Sequence, residues 1–403
     1  MSETTTRDTA DTPAAAPDRL PVPGLLALAT AVVITVITEA LPAGLLPGMR
    51  ASLDVSESAM GQAVTVYAVG TALTVIPLAT LTAGWNRRPV LLLAMGGFVV
   101  ANTVTAVSAD YALTMAARFV AGMAAGLSWA LMVGYARRMA PPALQGKAIA
   151  IVMAGIPLAL ALGVPVGAFI GGAVGWREAF GLMSALAVAA IVWIALIVPD
   201  FPGQRPEHRV PVLRAVALPG VPAIMAVIVL YVVAYNVLYT YIATYLERFG
   251  MGGDIDKALL VFGLASILGI GIVGARIDRR LRHLTIGAAV LVALATAGLA
   301  VLAESPALVY VAIGVWGLGH GGVPTLLQTA AGLAGRKAAD NVQAVVVTLW
   351  NLATAAGGAV GGILLAHRGP IALPWSVVIL SVPVLLIVAA ARHRAFPRVY
   401  GTD

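Results

Sequence analysis

The chain has 403 residues, 60% of them hydrophobic and only 11% charged, against about 25% charged in a soluble domain. With a mean hydropathy of +0.95, 43 glycines and 24 prolines, it is excluded from the soluble globular class and reads as a polytopic helical membrane protein, where both residues are tolerated. The absence of cysteine excludes a disulfide framework and thiolate chemistry. The net charge of +7 marks no nucleic-acid partner, because the basic residues are scattered through short loops between apolar spans.

Residues 1–20 are acidic, rich in Thr, Ala and Pro, and aperiodic, which predicts a disordered cytoplasmic tail. They lack the basic start, short apolar core and cleavage site of a signal peptide, so the first span is expected to act as an uncleaved insertion signal. Apolar runs then predict twelve spans, at about 22–47, 59–82, 89–108, 111–136, 147–173, 178–198, 217–246, 258–275, 284–303, 306–334, 341–366 and 371–391. Each is near the 20 or so residues that cross a bilayer.

The fifth span is the most distinctive. Positions 155, 159, 163, 167, 171 and 175 are Gly, Ala, Gly, Gly, Gly and Gly. Glycine costs a soluble helix about 1 kcal/mol, but in lipid a strip of small residues lets a neighbouring backbone approach closely. Pro165 lies within the strip and weakens the hydrogen-bond ladder, so a bend is expected there. The strip, with Gly172, reads as a packing or gating surface on which a moving membrane protein slides.

Charge sets the orientation. Of 25 Lys and Arg, 19 fall in alternate loops and the two tails, including Arg87, Arg88, Arg137, Arg138, Lys147, Arg276, Arg279, Arg280 and Arg282. Five fall on the other side (Arg50, Arg177, Arg248, Lys257, Arg368), and Arg118 lies within a span. The positive-inside rule then places both termini in the cytoplasm. The polar segment 200–214 divides the chain into bundles at 21–199 and 215–392, with a cytoplasmic tail at 393–403. The halves echo each other at an offset of about 190–195 residues: Gly167, Gly171 and Gly172 against Gly357, Gly358, Gly361 and Gly362. Two parallel six-span repeats imply a cavity at their interface, open alternately to each side.

Five segments resemble signatures of the major facilitator superfamily, and within it the twelve-span drug:proton antiporters, which include sugar and nucleoside exporters. Thr38-Glu39-Ala-Leu-Pro42-Ala-Gly44-Leu-Leu-Pro47 looks like the family's first-span signature, and Arg118-Phe-Val-Ala-Gly122 resembles its fourth-span arginine motif. The fifth span, ending in Gly175-Trp176-Arg177, is similar to the antiporter motif. Tyr239-Thr240-Tyr241-Ile242 and Trp350-Asn351-Leu-Ala-Thr-Ala-Ala-Gly357 resemble patterns of spans seven and eleven. The resemblance implies an all-α fold of twelve helices in two pseudo-symmetric bundles. One departure stands out. The loop after span two, which in the family helps latch the inward side, keeps Arg87 and Arg88 but has Ala83 at the acidic position. The second copy of that loop keeps Asp278 and Arg279.

Glu39 is the one carboxylate well inside an apolar span, and Arg118 the one cation so placed. Such groups face a cavity or a partner, because lipid penalises their charge by several kcal/mol. Loss of water favours a protonated carboxyl and a nearby guanidinium favours the ionised form. Glu39 is therefore the candidate proton carrier, tuned by Arg118. The structural alternative is a Glu39 that hydrogen-bonds a helix end near the outer interface, with Arg118 a clamp. His320, in a glycine-rich part of span ten, is a second candidate proton site, since imidazole titrates near neutral pH.

Candidates for the cavity wall are Gln62, Tyr67, Asn102 and Trp129 in the first half, and Tyr235, Asn236, Tyr239, Tyr241, Gln328, Trp350 and Asn351 in the second. Asn236 and Asn351 rank highest, because the family motifs that hold them line its cavity. No phosphate-binding Gly-x-x-x-x-Gly-Lys loop and no metal-ligand spacing occur. The expectation is a monomeric carrier in a bacterial inner membrane, without cofactor, exporting drug-like small molecules against protons. Sugar or nucleoside efflux is the alternative, and a non-transporting sensor the remote one.

Overall fold

The computed structural model describes residues 20–204, 211–302, 305–335, 338–392 and 395–396. Most of both expected tails and the middle of the expected linker lie outside these residues.

Spans one to four are continuous helices: α1 (Val22–Leu53), α2 (Glu57–Leu81), α3 (Arg87–Val107) and α4 (Tyr111–Met139). Ser56 and Asp110 start α2 and α4 by accepting the backbone N–H of Ala59 and Leu113, the role for which short polar side chains are preferred at helix starts. Span five, α5, is interrupted. Helical pieces Gln145–Met153 and Gly155–Leu158 lead into a π turn, Ala159–Gly163, before Val164–Ala173. Pro165 is the second residue of that last piece, where its missing N–H costs least. α6 is Trp176–Ile197, α7 is Val221–Tyr239 followed by a short helix Ile242–Arg248, and α10 comprises Pro306–Gly321 and Val323–Gly335. α11 is Ala339–Arg368 and α12 is Ala372–Ala390.

Spans eight and nine share one helical run, Ile255–Leu302, broken at Arg280 where φ is −139° and ψ is 30°. Among the described residues, eleven runs are long and apolar enough to cross a membrane, one of them 46 residues long (Lys257–Leu302). At 1.5 Å per residue that run measures about 69 Å, twice what a bilayer core of about 30 Å needs. It therefore counts as two spans, α8 (255–279) and α9 (281–302), and the crossings number twelve.

Two separate apolar cores form, one from residues 25–198 and one from residues 215–396, apart from Ile270, which sits in the first. Each repeat uses its glycines alike. Gly155, Gly163, Gly167 and Gly171 of α5 face Ala29, Val32, Ile37, Leu41 and Leu45 of α1, and Gly357 and Gly361 of α11 face Val233, Asn236 and Val237 of α7 and Tyr241 just after it. Gly122 and Gly126 of α4 lie on Tyr67, Thr71 and Val75 of α2, while Gly317 and Gly321 of α10 lie on Phe262 and Ser266 of α8. The span-five strip is thus not the sliding surface between halves. It brings α1, the helix of Glu39, close to α5 inside one half. Gly172 lies off the strip, with no atom near its missing Cβ.

This contrast predicts opposite signs for two small changes. A Cβ at Gly122 would strike the Tyr67 carbonyl and approach Thr71 N to 3.0 Å, so Gly122→Ala is expected to destabilise by about 1–3 kcal/mol. Gly172→Ala meets open space and is expected to stabilise by about 0.5–1 kcal/mol through helix propensity. Thermal unfolding of the purified protein in detergent reads both.

Gly175, at φ +138°, makes the turn between α5 and α6 in a backbone conformation that side chains resist. Arg177 then reaches Ser52 Oγ at 2.5 Å and the Ser108 carbonyl at 2.9 Å, with its guanidinium 4.2 Å from the Trp176 ring centroid. The Gly-Trp-Arg ending of span five ties the ends of α1, α3 and α6 together.

Candidate functional site

In the first half, Arg118 is fully buried. It donates to the carbonyls of Ala63 (3.3 Å) and Glu39 (3.4 Å), and lies 4.9 Å from the Tyr67 ring centroid. Its Nη1 has no partner among the described residues. Tyr67 in turn donates to the Thr35 carbonyl at 3.2 Å. The Glu39 side chain is half-buried, and among the described residues its carboxylate has no hydrogen bond and no ion pair, including none with Arg118. A half-buried carboxylate and a buried guanidinium with an unused N–H therefore lie near each other, with no hydrogen bond or ion pair between the two side chains in this conformation.

A cavity of about 380 Å³ lies between α5 of the first repeat and α7, α8 and α10 of the second. That lies within the range of about 300–1,000 Å³ found for small-molecule sites. Met153, Pro157 and Leu160 form one wall; Tyr235, Tyr239, Phe262, His320 and Thr325 line the opposite side. Counting 1.5 Å per residue from Gln145, Met153 and Leu160 are about 12 and 22 Å into the span, around mid-membrane. Among the described residues, no Asp, Glu, Lys or Arg lines the cavity.

Its aromatic side is a pile of parallel rings. His320 stacks on Tyr235 at 4.0 Å and 13°, and Tyr235 on Tyr239 at 4.8 Å and 22°. Trp316 closes the back, edge-on to Phe262 at 4.9 Å. Tyr231 OH and His320 Nδ1 share a 2.7 Å hydrogen bond. The tyrosines recur at positions 231, 235 and 239, one per helical turn, so a run of rings on one face of span seven was visible as spacing. Phe262, Trp316 and Thr325 gave no such signal.

At the arginine-rich end the halves are locked together. Arg87, 3% exposed, pairs with Asp340 at 2.7 Å, and Arg138 approaches the same carboxylate at 3.5 Å. Gly134 makes room for Asp340, as Gly146 does for Asp278. Arg137 donates to the Gly332 carbonyl. Asp278 accepts the backbone N–H groups of Gly146 and of Lys147 (3.0 Å for the latter), capping α5 from across the interface. Val75, Ala79, Ala130 and Ala344 add an apolar seal. The acid missing at Ala83 is therefore replaced by Asp340 from the opposite half. Both latch acids come from the second repeat and their partners from the first.

The remaining predicted residues are dispersed. Arg88 stays in its own half, donating to the Ala195 carbonyl at 3.2 Å, and Arg279 is exposed. Asn102 is buried and donates to Thr38 Oγ1 at 3.2 Å, while Gln62 is exposed. Asn236 donates to the Val232 carbonyl and Thr354 Oγ1, and Asn351 to the Val347 carbonyl. Tyr241 OH donates to the Gly358 carbonyl at 2.9 Å. Trp129, Trp350 and Gln328 are half-buried, the last with its backbone carbonyl accepting from Gln343 Nε2.

The sequence model of the Major Facilitator Superfamily matches residues 28–358. The chain belongs to this superfamily. Among curated relatives, the "Purine ribonucleoside efflux pump NepI" of Salmonella paratyphi B is 27% identical over 382 residues, covering 93% of this chain and 94% of the relative. The protein of the same name from Salmonella enteritidis PT4 has the same identity and coverage. Among solved structures, the human organic anion transporter MFSD10 superposes with a TM-score of 0.73 at 17% identity, over 92% of this chain and 98% of that one. The proton:xylose symporter XylE superposes at 0.72 and 16%, over 92% and 95%. These likenesses establish an all-α major facilitator fold and a multi-pass membrane transporter.

Proposed function

We propose that this superfamily member is a proton-coupled exporter of nucleosides, working by alternating access in a bacterial inner membrane with both termini cytoplasmic. The observation that carries the reading is the charge-free, ring-lined cavity between the repeats, lying above a face held shut by Arg87–Asp340 and Asp278. On the positive-inside assignment that face is cytoplasmic, and the conformation is the one that releases substrate outward. The relatives named as purine ribonucleoside pumps favour the nucleoside alternative over the drug-like one. The cavity disfavours a free sugar, which needs many hydrogen bonds and finds mostly hydrocarbon and rings. The carrier acts as a monomer, performs no chemical step and needs no cofactor, its energy coming from the proton gradient through Glu39.

The test is radiolabelled adenosine uptake into proteoliposomes. An acidic lumen drives adenosine inward if protons and substrate exchange, and an ionophore that collapses the gradient abolishes the accumulation. Accumulation only with an acidic exterior, or equilibration indifferent to pH, overturns the exchange mechanism.

A further inference from the structure

The cavity contains more recognition chemistry than a greasy slot requires. His320 is fixed on three sides: Tyr231 holds Nδ1 at 2.7 Å, Tyr235 covers a ring face at 4.0 Å, and Phe262 lies 5.6 Å away. Its Nε2 has no partner among the described residues, and the residue lines the cavity. Thr325 lines it too, fully buried, and its hydroxyl is unpartnered, although a helical threonine ordinarily bonds the carbonyl one turn back. The indole N–H of Trp316, behind the rings, is also unpartnered. Buried polar atoms are normally satisfied, so such a group calls for a ligand or a water.

The geometry points to His320 as the specificity-determining residue for a neutral, planar nitrogen heterocycle. The heterocycle lies against the aromatic side of the cavity, edge-on to the imidazole, and its edge hydrogen-bonds His320 Nε2 and Thr325 Oγ1. This rests on, and deepens, the nucleoside reading: the base is the part recognised here.

Three features define the ligand class. The aromatic wall favours a flat π-system, because offset-stacked and edge-to-face ring pairs with centroids about 4.5–7 Å apart are the preferred contacts. The absence of any lining cation excludes phosphorylated analogues, since a buried phosphate needs a paired charge. The third is the positioning role of Tyr231. When its hydroxyl donates to Nδ1, the proton of the neutral imidazole sits on Nε2 and the ring donates to the base. When Nδ1 donates to the hydroxyl, Nε2 accepts. A change of His320 tautomer, matched by rotation of the phenol O–H, thus suits the ring to base edges of either polarity. A charged imidazole could not accept, and no carboxylate faces the ring among the described contacts, so His320 serves recognition instead of proton carriage.

The test measures equilibrium binding of adenosine, free adenine, uridine and AMP to purified full-length protein. Variants are His320→Leu, His320→Gln, Thr325→Val and Glu39→Gln, each first confirmed monodisperse. The expected result is adenine and adenosine binding to wild type, with AMP about a hundredfold weaker for want of a cation. His320→Leu is expected to weaken adenosine about tenfold and to level the preference between adenosine and uridine. His320→Gln should recover part of the loss, and Thr325→Val, which keeps the side-chain shape, should weaken binding about threefold. Glu39→Gln should bind like wild type.

If wild type binds adenosine but His320→Leu and Thr325→Val leave affinity and base preference unchanged, this inference fails and the nucleoside reading stands. If adenine binds through His320 while adenosine neither binds nor moves, the nucleoside reading fails and the heterocycle site stands. Binding of neither overturns both. Intact affinity in His320→Leu with lost pH-driven accumulation makes His320 a proton site and overturns the assignment.

Discussion

Proteoliposomes carrying Glu39→Gln are expected to accumulate no adenosine under an acid-inside gradient, while still exchanging internal for external adenosine. The amide keeps the size and hydrogen-bonding ends of a protonated carboxyl but cannot give up a proton. The variant is therefore held in the proton-loaded form, and only the step that unloads it is lost. Affinity should stay within about twofold, a change under 0.5 kcal/mol, because the residue lies outside the ring-lined cavity. The unpaired state of the carboxylate is what makes the prediction sharp. A Glu39 engaged in an ion pair would be structural, and its loss would lower stability. Here the change breaks no hydrogen bond or ion pair, so Arg118, bonded to the Ala63 and Glu39 backbone carbonyls, keeps its place. Undiminished pH-driven accumulation by the variant would remove Glu39 from the coupling mechanism.

The second large effect is expected at the latch. Asp340→Asn leaves the Arg87 guanidinium, 3% exposed, without its counter-charge in the closed face. Removing one member of a buried pair costs about 3–5 kcal/mol, and only the closed conformation bears that cost. The balance between conformations should then shift by about a hundredfold or more toward opening at the arginine-rich end. The chain has no cysteine, so a single Ser266→Cys in the cavity reports accessibility without background. Labelling by a membrane-impermeant maleimide from the arginine-rich side is expected to rise in the Asp340→Asn background and to fall from the other side. Asp340→Glu, which keeps the charge, should lie between. Arg138→Gln should have a small effect, since that side chain is 34% exposed and its pairing is screened. Unchanged labelling in Asp340→Asn would show that the apolar seal of Val75, Ala79, Ala130 and Ala344 holds the face alone.

Much of this was legible in the residues, for identifiable reasons. Spans were readable because hydropathy registers where lipid lies. Their ends were not, because backbone hydrogen bonding continues past the lipid: α1 runs to Leu53 instead of about 47. The bend at Arg280 has no glycine or proline to announce it, and span seven breaks at Thr240–Tyr241 inside an unremarkable apolar run. Glu39 and Arg118 stood out as lone charges in hydrocarbon. The glycine strip showed a smooth face, but period alone cannot say which neighbour covers that face, and it proved to be α1. Asp340 was hidden for a related reason. At the repeat offset its counterpart is Gln145, and only the folded interface shows an acid supplied from the opposite partner.

The π turn of α5 accounts for one oddity of that strip. Residues four apart on a regular helix of 3.6 residues per turn fall about 40° further round at each step. From Gly155 to Gly171 a straight helix would rotate its small residues by about 160°, carrying the last of them away from α1. The wider turn at Ala159–Gly163 unwinds part of that rotation, and Gly163, Gly167 and Gly171 still meet Ile37, Leu41 and Leu45. Span five therefore holds surplus length, like slack taken up in a single loop. Closing that loop into regular helix would screw its two ends against each other, with α1 gripped at one end and the latch at the other.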